Sequence, residues 1–169
     1  MILRPTAFAL VLALAALPAA AALHAPAIAI TSLSDLSVPD QPFDENANAD
    51  AAVDAAFALA KATHRRVMLD LGGNWCADCR ILAGIMELPA MRRFLATHYV
   101  VVMVDMGRFN RNLQVPARFG ITSRLEGVPA VLIADPGGSL VNRDHIFALA
   151  DARNMTPQAI ADWLAQWAA

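Results

Sequence analysis

Val67-Met68-Leu69-Asp70-Leu71-Gly72-Gly73-Asn74-Trp75-Cys76-Ala77-Asp78-Cys79-Arg80 is the stretch on which the fold turns. Its first five residues form a nearly continuous apolar run, as expected of a strand covered on both faces. Gly72-Gly73-Asn74 breaks that run, and from Cys76 to Glu87 the apolar residues Ile81, Leu82, Ile85 and Met86 recur at helical spacing. Two cysteines at C-x-x-C therefore sit where a strand hands over to a helix, close enough to bridge within one helical turn. At that position Cys76 faces the unpaired N–H groups and the positive dipole end of the helix, which favour its thiolate. Thiolate is the nucleophile of disulfide exchange. Cys79, one turn deeper, is expected to be shielded and to act as the resolving thiol.

Working outward, the same alternation continues. Asp50 to Thr63 has Val53, Ala56, Phe57 and Ala60 on one helical face, with acids first and Lys61 and His64 last. Pro89 kinks or restarts the helix after Glu87, and the pattern continues through Met91, Phe94 and Leu95. Tyr99 to Asp105 and Val128 to Ala134 read as strands, with a short helix expected over 116–119 between them. Asp135-Pro136-Gly137-Gly138 reads as a tight turn and Leu140 to Arg143 as a partner strand. Thr156 caps a closing helix that begins at Pro157 and carries Ile160, Trp163, Leu164 and Trp167. Alternating strands and helices predict an α/β fold, a central mixed sheet flanked by helices in three layers.

The chain has 169 residues, room for one domain. Thirteen Lys and Arg against fifteen Asp and Glu leave a net charge of −2, without the basic footprint of a nucleic-acid binder. An apolar fraction of 57% with 17% charged residues argues against a disordered chain. Residues 1–22 have the parts of a signal peptide: Arg4, an apolar run from Ala7 to Leu17, Pro18, and Ala20-Ala21-Ala22 at the end. The run is shorter than the ~20 residues a membrane span needs, so a membrane enters the reading only if this segment is retained. Residues 23–48, rich in Ser, Pro, Asp and Asn, read as a flexible leader, and residues 49–169 as the domain. Export places the protein in the periplasm or outside the cell, in an oxidising compartment.

Other uses of C-x-x-C make other demands on the sequence. Haem attachment requires His after the second Cys, where Arg80 stands. Structural zinc requires two further ligands, and His24, His64, His98 and His145 have no paired spacing. Copper(I) carriage on the two thiolates remains open on ligand type. A merely structural disulfide would close too short a loop to stabilise much.

Trp-Cys-x-x-Cys after a strand, an Asp six residues before the first Cys, and Gly127-Val128-Pro129 before a later strand resemble the thioredoxin superfamily. The resemblance runs from about residue 50 to the last residue. Within it, Asn74 to Arg80 is similar to the core of thioredoxin-like domains of exported disulfide reductases. The resemblance implies a three-layer thioredoxin-like fold and a redox-active Cys76–Cys79 disulfide. It gives Asp70 the role of a buried carboxyl that moves the proton of Cys79. It also makes Pro129 a cis-proline facing the disulfide, with Val128 and Trp75 contacting substrate. The implied activity is thiol–disulfide exchange through a mixed disulfide. The partners are a disulfide-containing protein substrate and an upstream dithiol electron donor, with no organic cofactor. Asp78 is expected to disfavour the Cys76 thiolate and keep the couple on the reducing side. Arg108, Arg111, Arg118 and Arg124, in a stretch longer than in minimal thioredoxins, read as a solvated loop or as a surface for an acidic partner. The rival functions are copper(I) handling and a redox-inactive binding module on the same scaffold.

Overall fold

The computed structural model describes residues 23–168. The elements are α1 (Ala49–Thr63), β1 (Arg66–Gly72), α2 (Ala77–Glu87), α3 (Pro89–His98), β2 (Tyr99–Asp105), α4 (Gln114–Ala117), β3 (Ala130–Ala134) and α5 (Pro157–Gln166). β1 is the central strand, parallel to β2 and antiparallel to β3, so the sheet is mixed. A parallel neighbour requires a crossover, and α2 with α3 supply it. Val67, Leu69 and Leu71 point into a core shared with α1 and α4, and Met68 points into a second core with α2, α3 and α5. Helices thus cover both faces, which explains the near-unbroken apolar run of β1. The layers and the mixed sheet are those of the α/β fold expected from the sequence.

Local chemistry sets the helix ends. The Asn48 side chain accepts the Ala51 N–H and the Thr156 hydroxyl accepts that of Ala159, each an N-cap with Pro157 at the first position of α5. Pro89 starts a separate helix, α3, after Leu88 rather than kinking one long helix.

Two expectations are corrected. No strand runs from Leu140 to Arg143; a single bridge joins Ala134 to Leu140. The reason is Asn142, which is buried and whose amide behaves as a surrogate peptide. Its Oδ1 accepts the Ile133 N–H at 2.8 Å and its Nδ2 donates to the Val131 carbonyl at 2.8 Å. The edge of β3 is thus satisfied without a fourth strand. The short helix falls at Gln114–Ala117, ahead of the expected 116–119.

The expected signal segment, residues 1–22, lies outside the described residues. Residues 23–48, expected to be a flexible leader, contribute side chains to both cores and form a strap. The Ile28 N–H donates to Gln158 on α5. Leu36 is buried against α2 at Gly84, where a Cβ would meet the Ser37 carbonyl at 2.9 Å. Phe43 is buried beside Gly72 at the end of β1. Apolar residues scattered without a period do not announce this, because each packs against a different element.

Candidate functional site

The site lies where β1 ends. Cys76 is the N-cap of α2, with φ −89° and ψ 117°, and its sulfur accepts the Cys79 N–H at 3.2 Å. A sulfur here takes the place of the hydroxyl of a serine cap, meeting a donor the helix cannot satisfy itself. The Cys76 thiol also reaches the Val128 carbonyl at 3.4 Å. Cys76 is only 5% exposed and Cys79 is fully buried, and both are free thiols.

The two thiols are placed unequally. The hydrogen bond from the Cys79 thiol, aided by backbone N–H groups, pulls the Cys76 pKa down to about 7 against the opposing effects of burial and of the Asp78 charge. The same hydrogen bond, together with burial and the nearby Cys76 and Asp70 charges, pushes Cys79 far above the ordinary thiol range. One sulfur is thus poised as a nucleophile near neutral pH, and the other is held as a proton donor.

Asp70 is fully buried on the face of β1 that also carries Met68 and Gly72. Burial, then the charge of Cys76, raises its pKa to about 8. Among the described residues neither carboxylate oxygen meets a hydrogen-bond partner. Such an orphan is what desolvation predicts for an acid kept neutral until it is needed. Gly72 makes room for the arrangement: a methyl there would stand 2.5 Å from Phe43 Cζ and 2.9 Å from Cys79 Sγ. Phe43 is in turn held by Asn74, whose amide accepts the Phe43 N–H and donates to the Phe43 carbonyl, both at 2.9 Å.

Across the cysteines, the Val128–Pro129 peptide bond is cis. Trp75 is 43% exposed, and its indole N–H donates to the Gly107 carbonyl at 2.6 Å. The structure thus brings Cys76, Cys79 and Val128 into direct contact, with Asp70 beneath the sulfurs and Trp75 on the rim.

Sequence reasoning missed Phe43 and Arg153, and placed Asn74 in the motif without its clasp on Phe43. The Arg153 backbone N–H and Nε both donate to Asp78 Oδ1 at 2.9 Å, and its guanidinium grips Oδ2 as well. Burial alone would raise the pKa of Asp78, but the Arg153 hydrogen bonds and charge outweigh it, and the carboxyl stays below its ordinary value. The acid expected to repel the thiolate therefore arrives already paired. No local signal marks Arg153, which lies 75 residues along the chain. Replacing it with glutamine is expected to leave the Asp78 charge less compensated and to raise the Cys76 pKa. The pH dependence of alkylation by iodoacetamide measures this; an unshifted titration would show that the pair has no electrostatic reach to the sulfur.

Among the described residues no group of three or more His, Cys, Asp or Glu is placed to hold a metal ion. No helix among them is long and apolar enough to cross a membrane.

A family model described as thioredoxin-like matches residues 48–136. Among curated proteins the chain is similar to the thiol:disulfide interchange protein DsbD 1 of Pseudomonas aeruginosa, 30% identical over 97 residues. That match covers 56% of this chain and 15% of the relative, so the chain spans only a small part of that protein. Among solved structures it is similar to a disulphide isomerase from Xylella fastidiosa Temecula1, 36% identical with a TM-score of 0.68. Here the match covers 74% of this chain and 95% of the other.

Proposed function

The chain belongs to the thioredoxin-like family, and from that premise we propose that it is an exported thiol–disulfide oxidoreductase working in the reducing direction. The observation that carries the exchange chemistry is the asymmetry of the pair: Cys76 caps α2 with its pKa near 7, and Cys79 is buried behind it with its own pKa raised.

The Cys76 thiolate attacks one sulfur of a substrate disulfide. A mixed disulfide forms, and the other substrate sulfur leaves as a thiolate that takes up a proton. Cys79 then loses its proton to Asp70 and attacks Cys76 Sγ, releasing the second substrate thiol. Two electrons have passed to the substrate, and the chain is left with a Cys76–Cys79 disulfide. Asp70 is suited to this timing. In the free dithiol the Cys76 charge helps keep it protonated; in the mixed disulfide that charge is gone, so Asp70 ionises more readily when a base is wanted. Val128 and Pro129 line the approach, with Val128 offering backbone groups to an extended substrate. No organic cofactor takes part. A dithiol protein upstream restores the reduced pair, and the signal-like segment of residues 1–22 supports a periplasmic or secreted location.

The test is insulin reduction with dithiothreitol. The wild-type chain is expected to accelerate precipitation of the insulin B chain and Cys76→Ser to give none beyond the reagent alone; no acceleration by the wild type would sink the reading. The reduction potential then sets direction: a value near about −270 mV, that of thioredoxin, supports a reductase, and one near about −120 mV an oxidase.

A further inference from the structure

Residues 106–127 carry four arginines and one acid, Glu126, in a chain whose net charge is −2. The structure divides those arginines into two kinds. Arg111 bonds Asp105 at 3.1 Å, and Arg118 is clamped by Asp50 and Asp54 on α1. Arg108 and Arg124 are exposed and form no ion pair with any described residue. Instead each lies on an aromatic face. The Arg108 guanidinium stands 5.0 Å from the centre of the Trp75 ring, and that of Arg124 stands 4.7 Å from Phe109. Trp75 and Phe109 meet edge to face at 5.9 Å. Arg108, Trp75, Phe109 and Arg124 therefore form one continuous ridge.

The ridge is joined to the reactive site through the chain. Trp75 directly precedes Cys76, and Arg124 leads within four residues to Val128, whose carbonyl contacts Cys76. The ridge is also preformed. Gly107 and Phe109 hold positive φ of 52° and 64°, Asn110 accepts the Arg108 N–H at 3.0 Å, and the Asn112 amide donates to the Asp105 carbonyl at 2.7 Å. A guanidinium seated on an aromatic ring keeps its outward N–H donors free while losing little side-chain freedom on binding.

We infer that this ridge selects substrates by charge: it is a docking surface for an acidic polypeptide segment flanking the disulfide to be reduced. The inference rests on the exchange activity proposed above. Two exposed cations seated on the rings of the ridge attract carboxylates, steer the encounter and orient the extended segment towards Val128. They disfavour a basic segment by the same interaction.

Three peptide disulfides, identical except for Glu, Gln or Lys on either side of the cystine, provide the test, with kcat/KM for reduction as the readout. At low salt the expected order is Glu, then Gln, then Lys, and the spread narrows as salt is added. The double variant Arg108→Gln/Arg124→Gln is expected to reduce the preference for Glu over Gln by about five- to tenfold. Arg108→Lys/Arg124→Lys is expected to retain part of the preference, and Arg118→Gln, whose charge is already paired, to retain all of it. Equal rates on the three peptides, or a preference that survives the double glutamine variant, would overturn the ridge and leave the exchange activity standing. Failure to reduce even the Gln peptide would overturn the exchange activity itself, and the ridge with it.

Discussion

Cys79→Ser is expected to turn catalysis into capture. The Cys76 thiolate still attacks, but nothing resolves the mixed disulfide, so substrate accumulates as a covalent adduct of the chain. Turnover should fall on the order of a thousandfold, as when one member of a cooperating catalytic pair is removed. Mass spectrometry under non-reducing conditions measures the adduct, and reductant releases it. Cys76→Ser should give neither turnover nor adduct. The serine hydroxyl at 79 can still donate to the Cys76 sulfur, whereas Cys79→Ala removes the hydrogen bond that most lowers the Cys76 pKa. The alanine variant should therefore form its adduct more slowly at pH 7 than the serine variant does. A Cys79→Ser protein that turns over like the wild type would refute the assigned roles.

Asp70→Asn is expected to separate stability from activity. In the folded chain burial raises the Asp70 pKa from 3.8 to about 8. Between those values the folded state binds a proton that the unfolded state has released. Stability from this group is therefore fully present below about pH 4 and declines as the pH rises towards 8. Each pH unit in that window removes up to about 1.4 kcal/mol. Asparagine cannot ionise, so the variant should be the more stable protein at pH 7 and should lose the slope; urea unfolding across a pH series measures both. Its resolving step should nonetheless slow by about a hundredfold, the usual scale for loss of a positioned proton acceptor. The rise of that step with pH as Asp70 ionises should vanish. A wild-type stability that is flat from pH 4 to 8 would mean that the carboxyl is not held neutral.

What the sequence made legible was whatever depends on near neighbours. The β1 run, the handover at Gly72-Gly73, the restart at Pro89 and the Thr156-Pro157 cap are all written within a few residues of the elements they control. Trp75, Cys76 and Cys79 are legible in the same way. Burial of Asp70 follows from its place in an apolar run, because a central strand has no solvent face. The parts that escaped are held by distant partners. Asp78 alone reads as a bare negative charge beside a thiolate; only the folded chain brings Arg153 to it. Leu140 to Arg143 has the composition of a strand, but the Asn142 side chain occupies the bonding edge first. Arg108 and Arg124 are indistinguishable from Arg111 and Arg118 in the sequence. The folded loop separates them by setting two against carboxylates and two against rings.

The strap bears on how the domain withstands tension from the chain upstream of it. Its path runs from Gln158 on α5, across Gly84 on α2, to Phe43 beside Cys79 and the Asn74 clasp. A pull from that side loads the Gln158 bond and then the Leu36 contact before any force reaches the ring next to the sulfurs. The order of contacts thus puts the ring beside the sulfurs last in line for any load entering at the start of the strap, as a strain relief does for a cable.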